Sequence, residues 1–237
     1  MISSTQKFQV VDKDVKVIRK KVKNMCLRVR PPHGDVEVTV PLDKSYEEVK
    51  SFILAKQLWI EKHQERLKKY ARQEELLFAG GDKLLFLGKE LSLKVIASER
   101  VPRVTVDEAF LNFHIDPLMP RSHREVLLDD FYRKELKKRI VDLLEKWTKI
   151  MEISPRVIDI KKLKSKWGSC KPEDRRICLN LALIKLSEGC LEYVFVHEMV
   201  HLFVANHGPR FYALMDRYLP EWRKWKEQLK HYPLGYF

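Results

Sequence analysis

The chain has 237 residues, 45% hydrophobic and 33% charged, the balance of a soluble globular protein long enough to bury one large core or two small ones. The excess of Lys and Arg leaves a net charge of +13, which raises nucleic acid as a partner, although no recognisable nucleic-acid motif accompanies it. No apolar run approaches membrane-spanning length and none reads as a signal peptide, so a cytoplasmic protein without a membrane span is expected.

The first hundred residues read mostly as β-structure. Met25, Leu27 and Val29 alternate with Cys26, Arg28 and Arg30, Pro31-Pro32-His33-Gly34 turns the chain, and Val36, Val38 and Val40 alternate again, which predicts a hairpin. Ser45 with Glu48 three residues later is a capping box. Val49, Phe52, Ile53, Trp59, Ile60 and Leu67 continue as one helical stripe, expected to run to about Leu77. Gly80-Gly81 ends it. Residues 84–96 read as a hairpin turning at Gly88-Lys89, and residues 101–115 as a further pair of short strands.

From Arg121 the spacing of Val126, Leu127, Phe131, Ile140, Leu143, Leu144, Trp147 and Ile150 predicts a long helix. Strands follow at residues 156–160 and 176–180, then a strongly apolar helix, then a helical tail through Trp222 and Trp225. The reading is an α+β chain with a β-rich part over residues 1–115 and a more helical part over residues 116–237, unless the two form one continuous domain. Cys26, Cys170, Cys178 and Cys190 contain no C-x-x-C pair and read as reduced thiols. Basic residues bunch between Lys13 and Arg30 and again between Lys161 and Arg176, for which solvated faces are the plainer reading.

The apolar run over residues 191–205 contains His197-Glu198-Met199-Val200-His201. On a helix this H-E-x-x-H string puts both imidazoles on one face, about 6 Å apart at their roots, where they can share a metal ion. Glu198 then stands where it can reach a metal-bound water and act as general base. A catalytic tetrahedral site usually takes a third protein ligand. His207, in Asn206-His207-Gly208-Pro209, is the first candidate, because the helix is expected to end near Asn206 and turn back there on left-handed angles. Asp216 and Glu221 are the carboxylate alternatives. Histidine ligands suit zinc, and also Ni²⁺ or Co²⁺.

Lys164-Ser165-Lys166-Trp167-Gly168-Ser169-Cys170, then Ile177-Cys178-Leu179-Asn180, then the H-E-x-x-H helix with Asn206-His207-Gly208 and Phe211, resemble the YgjP-like metallopeptidase domain family. Val38-Thr39-Val40-Pro41, Trp59-Ile60, Leu87-Gly88 and Tyr132-Arg133 extend the likeness upstream, in the family's order. The resemblance implies a β-rich N-terminal part packed on a zincin-like α+β metallopeptidase core, related to SprT-like proteases. It implies His197, His201 and His207 as metal ligands, Glu198 as the catalytic residue, and a peptide or protein substrate. Tyr212 departs from the Trp often found after the phenylalanine. By the same analogy the strand at residues 176–180 is expected to be the edge that lines the substrate, with Trp167 to Cys170 as a cleft wall. Arg210, Tyr212, His231 and Tyr232 are candidate oxyanion donors. The alternative reading is a basic nucleic-acid-associated module with a structural metal, extending to a protease acting on DNA-bound proteins. The oligomeric state is not legible.

Overall fold

The structure is a computed structural model that describes residues 4–10, 13–30, 33–71 and 78–232. The fold is α+β. Two compact units separate between Glu75 and Leu76, each with its own core.

The first unit is a four-stranded sheet with two helices. Strands β1 (Ser4–Val10) and β2 (Lys13–Arg19) pair antiparallel, β2 runs parallel to β4 (Asp35–Val40), and β3 (Cys26–Arg30) closes the order β1-β2-β4-β3. Val15, Val17, Val36, Val38 and Val40 occupy every second position and so share one face. That face buries against Val49 and Ile53 of α1 (Tyr46–Leu54) and Ile60 of α2 (Gln57–Ala71). The capping box forms as expected, with Ser45 Oγ accepting from the Glu48 amide and the Glu48 carboxylate accepting from the Ser45 amide. The single expected helix is two, broken at Ala55 and Lys56, whose amides bond back to Ser51 and Ile53. Neither Gly nor Pro marks this break, so periodicity runs straight through it. The expected end at Leu77 lies outside the described residues.

The second unit carries two sheets and four α-helices among the described residues. Strands β5 (Lys83–Phe86) and β6 (Lys89–Ala97) form the expected hairpin, and β6-β8-β7 continues the sheet with β7 (Arg103–Val106) and β8 (Phe110–Ile115). Against it lies α3 (Arg121–Met151), which buries Leu128, Tyr132, Leu136, Ile140, Trp147 and Met151. Val126 and Ile150, expected on its apolar stripe, are instead exposed. Leu84, Phe86, Leu91, Leu93, Leu111, Phe113 and Ile115 share one core with α3 and the later helices, so the division expected near residue 116 falls inside this unit.

The second sheet has the order β10-β11-β9, with β9 (Val157–Lys161) parallel and β10 (Gly168–Lys171) antiparallel to the central β11 (Arg176–Asn180). This corrects the expectation that residues 176–180 form the edge: both sides of β11 are taken, and β10 and β9 are the edges. A short 3₁₀ helix (Leu181–Lys185) leads into α4 (Glu188–Val200), followed by α5 (Pro209–Tyr218) and α6 (Trp222–Leu229). The β5–β6 turn docks on this connection, its Leu87 and Gly88 amides donating to the Ile184 and Lys185 carbonyls. Gly88 has φ 78° and lies 3.1 Å, measured from where a Cβ would stand, from the Ser187 backbone, so both conformation and space require glycine.

Candidate metal centre

Helix α4 is apolar on nearly every side, and residues 193–196 are all buried. At its start Gly189 admits the Trp225 ring of α6, which a Cβ would meet at 2.4 Å. At its end His197, Glu198 and His201 come together. The helix stops at Val200, with His201 as C-cap, six residues before the expected end near Asn206. Its last turn tightens, the Leu202 and Phe203 amides bonding to the Met199 and Val200 carbonyls three residues back. The chain then turns without the expected left-handed angles: Gly208, the N-cap of α5, has φ −90°. Pro209 opens α5 at a position where its missing N–H costs nothing.

This turn returns His207 to α4. His207 Nε2 lies 3.0 Å from His197 Nε2 and 3.1 Å from His201 Nε2. Ligand nitrogens on a tetrahedral ion with bonds of about 2.0–2.1 Å stand roughly 3.3–3.4 Å apart, so the three rings fit such an ion with little movement. The donor chemistry fits as well. His201 Nδ1 lies 3.0 Å from the Val204 carbonyl, which fixes that ring's proton on Nδ1 and leaves the Nε2 lone pair facing the other two rings. Burial, then the neighbouring His201 and His207, push the His197 imidazole down to about 3, which keeps it neutral. Burial also lowers His201. Among the described residues these three form the one group of His, Cys, Asp or Glu side chains arranged to hold a metal ion. Of the carboxylate alternatives, Asp216 is engaged by Trp222 and Arg223, and Glu221 is the N-cap of α6; neither joins the group.

Glu198 is 5% exposed, and no donor among the described residues hydrogen-bonds its carboxylate. Burial pushes its carboxyl up to about 8, opposed only by the charge of Lys166. Edge strand β10 runs beside it, and a Cβ at Gly168 would stand 2.6 Å from Glu198 Oε1. Trp167 and Cys170 are half-buried against the core, and burial next to Glu198 raises the Cys170 thiol to about 12, an inert neighbour. All four cysteines are free thiols.

Sequence reasoning missed two supports. Phe211 is buried and stands 4.9, 4.8 and 4.6 Å, centroid to centroid, from His197, His201 and His207. Asn180, 1% exposed, donates through Nδ2 to the Leu163 and Lys166 carbonyls and accepts through Oδ1 from the Ala182 amide. It thereby clamps the loop entering Trp167-Gly168. Both residues stand in the strings that carry the family resemblance, which was the available signal. The basic clusters are partly neutralised within the fold: Lys162 pairs with Glu125 and Asp129, Arg176 with Asp159, and Arg30 with Glu37. No helix among the described residues is long and apolar enough to cross a membrane.

No curated protein matches the chain. Among solved structures it is similar to the metallopeptidase zymogen of Pyrococcus abyssi abylysin, with 24% identity over 38% of this chain and 90% of that one at a TM-score of 0.36. It is similar also to the metallopeptidase zymogen of Methanocaldococcus jannaschii jannalysin, with 24% identity over 38% and 93% at a TM-score of 0.35. The YgjP-like metallopeptidase domain matches residues 23–232, nearly the whole length, and the chain therefore belongs to the YgjP-like metallopeptidase family.

Proposed function

We propose that this metal-dependent peptidase is a zinc enzyme in which His197, His201 and His207 hold the ion and Glu198 is the general base. The observation that carries the reading is the convergence of three imidazole Nε2 atoms beside a buried carboxylate that has no donor among the described residues. Bound there, zinc supplies a Lewis acid that polarises a carbonyl and makes water acidic near neutral pH. The chain's own residues do the rest. Glu198 takes a proton from the attacking water and hands it to the leaving amine. Burial excludes bulk water from that transfer. The substrate is an extended peptide added to the outer side of β10, which pairs only with β11 among the described residues. Four free thiols favour a reducing compartment, the cytoplasm.

The test is metal content and hydrolysis measured together on the full chain. About one zinc per chain, much weakened in His207→Ala, is expected, with Ni²⁺ and Co²⁺ reconstitution as the comparison. Glu198→Gln is expected to keep the metal and lose about 10²–10⁴-fold in peptide hydrolysis. Undiminished hydrolysis in that variant would remove Glu198 from its role, and a wild-type chain that takes up no metal would remove the centre.

A further inference from the structure

Among the described residues the sheet β10-β11-β9 has a second open edge, on the side away from β10. There β9 faces α3 across a groove of about 380 Å³. All residues from Pro155 to Ile160 line it on one wall, so it runs along the β9 backbone rather than over a single side chain. The other wall is one face of α3, with Arg133, Lys137, Ile140, Val141 and Leu144. Arg133 reaches across to the Ile160 carbonyl at 2.6 Å, which shows that this carbonyl points into the groove. By the two-residue alternation of a strand, the N–H and C=O of Ile158 point the same way.

We propose that this groove is a second peptide-binding site, which takes an extended acidic segment of a partner protein as an added strand beside β9. An edge strand facing a helix across a gap is the arrangement in which PDZ and PTB domains seat a peptide, with main-chain bonds for affinity and pockets for alternate side chains. Here the apolar surface is Ile140, Leu144, Val141 and Val157, the two valines being exposed. The charge is one-sided. Arg133, Lys137 and Arg156 form no ion pair among the described residues, while the groove's one carboxylate, Asp159, is held by Arg176 at 2.9 Å. Cations on both walls of an apolar groove match a segment that alternates Asp or Glu with branched apolar residues. A second copy of this chain is the wrong occupant, because two-fold pairing would bring the three cations of both copies together. The groove lining has no aromatic side chain on which a nucleic-acid base would stack.

The probe is a short fluorescein-labelled peptide alternating Glu with Val, read by anisotropy against the full chain carrying Glu198→Gln so that it is not cut. Saturable binding is expected, unchanged by His201→Ala and weakened about tenfold or more by Lys137→Glu with Arg156→Glu. Both charge reversals are at exposed positions and leave the core alone. N-methylation of alternate peptide amides is expected to abolish binding, since it removes the main-chain donors. The proposal is overturned by an absence of saturable binding, by binding that ignores both charge reversals or the methylation, or by binding lost in His201→Ala, which would place the peptide at the histidine centre. Tighter binding of a single-stranded oligonucleotide with the same residue dependence would overturn it in favour of nucleic acid. None of these outcomes bears on the zinc assignment.

Discussion

Gly168 of β10 and Glu198 of α4 lie so close that a Cβ on Gly168 would meet Glu198 Oε1, Cγ and Cδ at 2.6, 2.9 and 3.0 Å. A methyl there must push the carboxylate aside. Gly168→Ala is therefore expected to lower peptide hydrolysis by about 10²-fold or more while metal content stays at the wild-type level. The check is kcat/KM beside metal analysis of the same sample; wild-type activity in the alanine variant would show that the carboxylate position is not critical.

Phe211 packs against all three imidazoles. Shortening it leaves the ligands in place but frees the rings to tilt. Phe211→Leu is expected to weaken metal affinity by roughly 10–100-fold in a chelator competition, with a much smaller change in the number of metal sites. An unchanged affinity would reduce Phe211 to core filler.

Asn180 satisfies four main-chain groups from a buried position, the Leu163 and Ala182 amides and the Leu163 and Lys166 carbonyls. Asn180→Ala strands those groups and is expected to cost about 2–4 kcal/mol, lowering the thermal midpoint by roughly 4–16 °C. Asn180→Asp should do no better, because both Nδ2 bonds need a donor. Calorimetry decides; a variant within a degree of wild type would mean the loop holds itself.

Lys185 lies 5.8 Å from the Tyr132 ring centre, and burial pulls its ammonium down to about 8. Asp129 and Glu125 favour the charge and Lys162 opposes it. A lysine depressed in the folded state resists the proton that the unfolded chain accepts at its ordinary value of 10.5. The cost is therefore full below about pH 8, shrinks as pH rises, and is gone above 10.5. Lys185→Met is expected to melt higher than wild type at pH 7, by roughly 3 °C, with the two curves converging near pH 10.5. A gap that stays constant with pH would assign the gain to packing instead.

The sequence declared those elements whose signal is local. Ser45 and Glu48 announced α1, Gly88-Lys89 the β5–β6 turn, and residues 176–180 were read as the strand β11. His197 and His201 were legible for the same reason, since one helical turn joins them. What failed depends on partners remote in sequence. That β11 is a central strand follows from β9 and β10 flanking it, and four residues of Gly168–Lys171 carry too little pattern to be read as a strand. The early end of α4 at Val200 is marked by no residue that breaks a helix; the chain tightens there into three-residue bonds and then brings His207 back to His197. Likewise, Gly168 and Phe211 owe their roles to a carboxylate and three rings that only folding brings against them.

The docking of the β5–β6 turn on the entrance to α4 is made of main-chain atoms on both sides. Amides of Leu87 and Gly88 and carbonyls of Ile184 and Lys185 survive any substitution that keeps the backbone path, since no side chain of the four makes the bonds. The path itself is narrow at the turn, where Leu87 at φ 49° and Gly88 at φ 78° both hold left-handed angles and Gly88 is further confined by Ser187. The histidine-bearing helix is thus held at its root by a joint indifferent to side-chain chemistry but exacting in backbone angle.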